Sequence, residues 1–288
     1  WQSKVWIDGV ALEGVQESLT TPHRFDLPSD IRAGKHRLTI RIDNRKQYDI
    51  SVKDLAHAYT NDTQIMWNEV LGRLELRADN SVFIEDVQLY PDVARKKVHC
   101  VVTVQNAGKR DRKATLSFCP KMLVEEKKLS SRLLTASFHP GRNIITYDYV
   151  MDEDAVLWNE FSPVCYQMDV TLVQGKKSSD FSTRFGMRNL STSGSVLMNN
   201  GDRIYLRGTL ECCVFPLTGT PPTDREGWNK VFSVAKSYGL NHLRFHSWCP
   251  PRAAFEVADD MGFYLQVELP LWSLTVGKDT ATNRKNLG

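Results

Sequence analysis

The stretch NHLRFHSW, residues 241–248, sets Arg244, His246 and Trp248 at the tip of a short apolar run that Pro250 and Pro251 cut off. Two neighbouring runs end in the same way. LRGTLE offers Arg207 and Glu211, and LQVELPLW offers Glu268 and Trp272. Charged side chains are rarely buried without a partner. Guanidinium, imidazole and carboxyl groups gathered at such tips therefore make either a buried ion network or a ligand pocket. Arginine and histidine donate hydrogen bonds to hydroxyls, and a tryptophan face stacks on the apolar side of a sugar ring. Glycoside hydrolysis asks for more: two carboxyl groups ~5–5.5 Å apart for retention, or ~6.5–9.5 Å apart for inversion. Glu211 and Glu268 could form such a pair, but the reading as structural groups in contact with their neighbours outweighs it.

Other chemistries find less support. The two Trp-Asn-Glu triplets, at 67–69 and 158–160, fall in β-rich regions and read as structural. No Gly-x-Ser-x-Gly elbow occurs, and Ser247 is merely adjacent to His246. Phosphate-cradling glycine loops are absent. The six cysteines show neither Cys-x-x-Cys nor a Cys/His metal spacing, and Cys212-Cys213 would make a strained pair. They read as free thiols, several of them buried, and no metal or cofactor is expected. Lys and Arg total 37 against 34 Asp and Glu, a net charge of +3. So even a balance argues against a nucleic-acid partner. No apolar run approaches the ~20 residues that span a bilayer. The chain opens on Trp1 rather than Met, which suggests a piece of a longer protein.

Three kinds of element must position these tips. Residues 1–78 read as β: KVWIDGVAL is a hairpin about Asp8-Gly9. HRLTIRIDN alternates Leu38, Ile40 and Ile42 inward. Residues 45–63 read as a long loop, and Leu74 and Leu76 alternate with charges in a closing strand. Residues 79–185 hold VFIEDVQLYPDV, two strands about a charged turn at 106–112, NIITYDYVM and VCYQMDVTLVQ. Six or seven short strands with turns at this spacing suggest a sandwich. After residue 186 the rhythm becomes β-α-β-α-β, which argues for parallel strands. RIYLRGTLE is the first strand. A helix follows with Thr223 as N-cap, Glu226 completing a capping box, and Gly239 at its end. A second helix has prolines in its first turn and Gly262 at its end. In such a unit the carboxyl ends of the strands carry the site. The final sixteen residues show no clear element.

The whole chain resembles glycoside hydrolase family 2. KVWIDGVALEG is similar to that family's jelly-roll hairpin, with Asp8 in place of the usual asparagine, and AGKHRLTIRIDN to the strand after it. LWNEFSPVCY resembles its sandwich turn. FGMRNLSTSGSVLMNNGDRIYLRGTLE resembles the approach to its barrel, and GLNHLRFHSWCPPRAAFEVADDMGFYLQVELP the second strand, second helix and third strand. The resemblance implies a multidomain architecture. Residues 1–78 would be part of a jelly-roll sugar-binding β-sandwich, 79–185 an immunoglobulin-like β-sandwich, and 186–288 a partial (β/α)8 barrel.

It also implies a glycosidase that cleaves terminal sugars with retention, in a bacterial periplasm, on the cell surface or secreted. Arg244 and His246 fall where the family lines the sugar subsite. With Trp248, Glu211 and Glu268 they are the expected substrate contacts, and the catalytic glutamates are expected beyond Gly288. One departure leaves the sugar open. The family's Arg-Gly-x-Asn-x-His loop reads Arg207-Gly208-Thr209-Leu210-Glu211-Cys212 here. A second reading is a non-catalytic carbohydrate-binding or adhesive protein, and a third an unrelated α/β enzyme with fused sandwiches. Three βα strands cannot close an eight-stranded barrel. The isolated chain is therefore expected to aggregate, rearrange or pair as a homo-oligomer, and to turn over no aryl glycoside.

Overall fold

The computed structural model describes residues 1–18, 21–45, 70 and 72–269. The first Trp-Asn-Glu triplet, all but the first residue of the loop read across 45–63, Trp272 and the polar final sixteen residues lie outside these.

The amino-terminal unit is built on β1 (Gln2–Ile7), which pairs antiparallel with β2 (Val10–Ala11), β3 (Gln16–Glu17) and β4 (Leu38–Asp43). Asp8 and Gly9 make the β1–β2 turn with φ of 51° and 85°. This is the mirror-image turn that matches strand twist. The Asp8 carboxylate accepts from Arg37 N at 2.7 Å and meets His36 Nδ1 at 2.6 Å, tying that turn to the start of β4. Ile40 and Ile42 are half-buried as their alternation predicts, but Leu38, opposite Ile7 at the strand's start, is exposed. The strand expected about Leu74 and Leu76 does not form, and these side chains are 66% and 81% exposed. Alternation makes a strand only where a neighbour supplies a ladder, and no described strand does so here.

Seven strands follow: β5 (Val82–Asp92), β6 (Lys97–Asn106), β7 (Arg112–Met122), β8 (Arg132–Phe138), β9 (Gly141–Val150), β10 (Cys165–Gln174) and β11 (Lys177–Gly186). They form two antiparallel sheets, β5-β6-β9 and β8-β7-β10-β11. One core joins them: Ile84, Val98, Val102 and Val104 from the first sheet meet Leu116, Phe118, Met168 and Val170 from the second, all fully buried. This is a β-sandwich. β8 and β11 escape a sequence reading because they are edge strands, half-solvated and rich in hydroxyls and charges.

A small meander, β12 (Leu190–Ser193), β13 (Val196–Asn199) and β14 (Asp202–Arg203), leads on. It corrects the expectation of one continuous strand from Arg203 to Glu211. Arg203 belongs to the meander, and the next strand, β15 (Gly208–Glu211), starts only at Gly208. Then come α1 (Arg225–Ser237), β16 (His242–Phe245), α2 (Arg252–Met261) and β17 (Tyr264–Val267). β15, β16 and β17 are parallel neighbours in that order. α1 buries Trp228, Phe232 and Ala235 at helical spacing. Its N-cap is Asp224 rather than Thr223. Asp224 has the extended backbone, and its Oδ1 accepts from Gly227 N at 2.8 Å. Gly239 and Gly262 take left-handed φ of 77° and 67° after the two helices. Pro251 stands just outside α2 as its N-cap residue. Trp228, Phe232, Phe245, Trp248, Val257 and Phe263 form the core between sheet and helices.

The second Trp-Asn-Glu triplet fastens this unit to the sandwich. Trp158 is fully buried, and its Nε1 donates to Asp259 O at 2.7 Å. Its ring lies under the Arg188 guanidinium at 4.5 Å and edge-on to Tyr264 at 5.5 Å. Asn159 Oδ1 accepts from Phe161 N and Ser162 N at 2.9 and 2.8 Å. Glu160 accepts from Asn241 Nδ2 at 2.6 Å, just before β16. Arg184 and Arg225 both grip Asp260, while Arg188 meets Asp259 at 3.2 Å.

Candidate substrate-binding site at the strand ends

Parallel pairing lines up the strand ends. Leu210 stands opposite Arg244, and Arg244 opposite Gln266. Leu243 and Phe245 point into the helix-side core, so Arg244 and His242 belong to the other face of β16. A groove on that face is lined by Leu206, Gly208, Leu210, His242 and Arg244, among others. Gly208 is required there: a Cβ would lie 2.2 Å from His242 Nδ1. His242 is 8% exposed, and burial holds its imidazole below the ordinary value.

The charged tips sit one step further along. Arg244 donates from Nε to Glu268 Oε1 at 2.5 Å, and its Nη2 lies 2.5 Å from the same oxygen. The other Glu268 oxygen accepts from Ser247 N at 2.9 Å and faces Ser247 Oγ at 3.4 Å. Burial raises the Glu268 carboxyl, but hydrogen bonds from Arg244 and Ser247 outweigh it and leave the group below its usual range. Glu211 Oε1 and Oε2 both accept from Cys213 N, at 2.9 and 3.0 Å. For Glu211 burial dominates, so its carboxyl is pushed above the usual range despite those bonds. His246 donates its backbone N–H to Glu211 O at 2.9 Å, and its Nδ1 lies 3.6 Å from Cys212 Sγ.

Glu211, Arg244, His246 and Glu268 are thus brought to one end of one sheet. Trp248 needs correcting. It is 5% exposed, its ring meets Phe245 at 5.2 Å and Trp228 at 6.4 Å, and its Nε1 donates to Glu211 O at 3.4 Å. The face expected to stack on a sugar is covered by core aromatics. Arg207 lies at the opposite end, where Nε donates to Gly239 O and Nη2 faces Glu160. Sequence reasoning missed Ser247 and Cys213, whose backbone N–H groups hold the two carboxylates. Both residues have left-handed φ, 60° and 58°. Neither residue type announces that role. All six cysteines are free, and Cys100, Cys165 and Cys213 are buried. Among the described residues no helix is long and apolar enough to cross a membrane.

The geometry defines a β-rich protein whose sandwich is clamped to a parallel β/α unit with a charged cluster at its strand ends. Comparison with known proteins makes the class more specific. Residues 82–188 match the family described as Glycosyl hydrolases family 2, which bears out the resemblance read from the sequence. A β-galactosidase of Oenococcus oeni is 22% identical over 274 residues, covering 91% of this chain and 25% of that protein. A β-glucuronidase of Parabacteroides merdae superposes with a TM-score of 0.77 at 19% identity, over 99% of this chain and 36% of that one. A glycosyl hydrolase family 2 member of Bacteroides cellulosilyticus gives 0.76 at 17% identity, over 93% and 36% of the two chains. The chain therefore spans a quarter to about a third of the length of these proteins.

Proposed function

We propose that this chain is part of a glycosidase that removes terminal sugars from oligo- or polysaccharides. The observation that carries the reading is the gathering of Glu211, Arg244, His246 and Glu268 at the carboxyl ends of three parallel strands, directly after a family 2 domain. Carboxyl ends of parallel strands are where α/β sheets bind ligands. On this reading residues 1–78 are part of a sugar-binding jelly roll, 79–185 an immunoglobulin-like sandwich, and 186–288 the first units of a (β/α)8 barrel.

Arg244 and His246 contact the sugar. Glu211 and Glu268 shape the site from beside it, because their oxygens already accept hydrogen bonds from the protein. The carboxyl pair that performs retaining hydrolysis lies outside residues 1–288, and the protein works in the bacterial periplasm, on the cell surface or secreted. The test is a panel of aryl glycosides given to the full-length protein and to residues 1–288. The full-length protein is expected to turn over at least one glycoside with retained anomeric configuration, and the shorter chain none. Stoichiometric turnover by residues 1–288 overturns the placement of the catalytic pair. Sugar binding without turnover by the full-length protein favours the non-catalytic carbohydrate-binding reading.

A further inference from the structure

We infer that Cys212 is a positioning residue: its thiol donates to His246 Nδ1 and holds the ring so that Nε2–H is the group offered to the sugar. The inference rests on the glycosidase reading and deepens it at His246.

Backbone pairing brings the two side chains together. Leu210 stands opposite Arg244, and Glu211 opposite Phe245. His246 N donates to Glu211 O at 2.9 Å, which carries the parallel ladder past its last paired residues. Side chains alternate along a strand, so Cys212 and His246 share the face of Leu210 and Arg244, the groove side. Cys213 then turns left-handed at φ 58° and Ser247 at 60°, which ends both runs directly after the pair.

The backbone about His246 is fixed on both sides. Its own N–H is bound to Glu211 O, and Ser247 N is bound to Glu268 at 2.9 Å. These bonds set where the ring begins but not how the half-buried ring is turned. Cys212 Sγ, 3.6 Å from Nδ1, restrains that rotation. The direction of the hydrogen bond follows from the charge on sulfur. Burial first, and then the neighbouring Glu211 carboxyl, push the Cys212 thiol above its ordinary range. The group stays S–H and is the donor. A thiolate facing an imidazolium would need the opposite shift. Nδ1 is then the acceptor, and the neutral ring carries its proton at Nε2. Sugar hydroxyls both donate and accept, and a ring locked in this tautomer meets them as a donor.

The experiment uses the full-length protein and its best aryl glycoside. In a double-mutant cycle, Cys212→Ala is expected to lower kcat/KM about three- to tenfold, the worth of one hydrogen bond. In a His246→Ala background the same change is expected to do nothing further. A side chain that merely supported the fold would lower kcat/KM by the same factor in both backgrounds. That result, or an unchanged kcat/KM in Cys212→Ala, overturns the inference. A second measurement needs no turnover. Ring-nitrogen NMR of histidine-labelled protein, with His246 assigned by its loss in His246→Ala, is expected to show Nε2 protonated and Nδ1 bare in wild type. The Nδ1 signal is expected to move in Cys212→Ala. A proton on Nδ1 in wild type, or a signal indifferent to Cys212→Ala, overturns the inference. Where His246→Ala does not fold, His246→Gln supplies the assignment and the cycle. If no glycoside is hydrolysed, the glycosidase reading fails, and the ring spectrum alone decides whether Cys212 sets the tautomer.

Discussion

Two glycines in equivalent positions make the joint between the units measurable. Gly239 follows α1 and Gly262 follows α2, both with left-handed φ, 77° and 67°. Alanine in that conformation costs about 1–2 kcal/mol at either position. Around Gly239 a Cβ meets nothing within 4 Å, so that cost is the whole of it. At Gly262 a Cβ would lie 2.4 Å from Glu160 O and 2.8 Å from its C and Cα. Carbon–oxygen contacts begin near ~3.3 Å, so starting from 2.4 Å the Glu160 peptide must retreat by about 0.9 Å. That peptide is not free to move: the Glu160 side chain holds Asn241, and Trp158 and Asn159 beside it are bound in place. Overpacking of this kind costs about 1–3 kcal/mol. Gly262→Ala is therefore expected to destabilise by about 2–5 kcal/mol and Gly239→Ala by about 1–2. Urea unfolding of the two variants beside wild type measures the gap. Equal losses would refute a tight contact between α2 and the sandwich.

Two further substitutions probe local statements. Asp224→Ala should cost about 1 kcal/mol through loss of the α1 cap, and Thr223→Ala less than about 0.5 kcal/mol. The reverse order in thermal unfolding would return the cap to Thr223. His242 is expected to make stability pH-dependent. Burial sets its folded pKa below the ordinary imidazole value of about 6.5, so its contribution is complete above that value and is lost as pH falls through the folded pKa. Melting temperatures between about pH 8 and 5 should fall more steeply for wild type than for His242→Gln. Parallel curves would exclude the imidazole as the cause.

What could be read from the sequence follows from how each element is buried. β10 alternates buried and half-buried positions along most of its length, and the pattern is visible in CYQMDVTLVQ. The apolar stripe of α1 and the glycines after both helices fixed those helices to within a residue or two. β12 is exposed throughout and held by pairing alone, so its residues carry no periodicity. At the site, residue types at strand tips pointed to Glu211, Arg244, His246 and Glu268. The direction of Trp248 did not follow, because alternation extrapolates only while the backbone stays extended. Ser247 turns left-handed at φ 60°, and the next ring swings into the core. The donors that hold the carboxylates are backbone N–H groups, which every residue but proline possesses.

The clamp at Asp259, Asp260 and Gly262 grips α2 at its carboxyl end, whereas the charged tips lie by its amino end at Pro251. α2 has 10 residues, which at ~1.5 Å each makes a lever about 15 Å long. An angular slack of about 5° at the grip sweeps the far end through roughly 1.3 Å, an error of the size that can cost a site 10²-fold in rate. The sandwich, joined to the far end of α2 from the charged tips, thus sets the aim of the strand ends. Its salt bridges with Asp259 and Asp260 determine tolerance at the site as much as they determine stability.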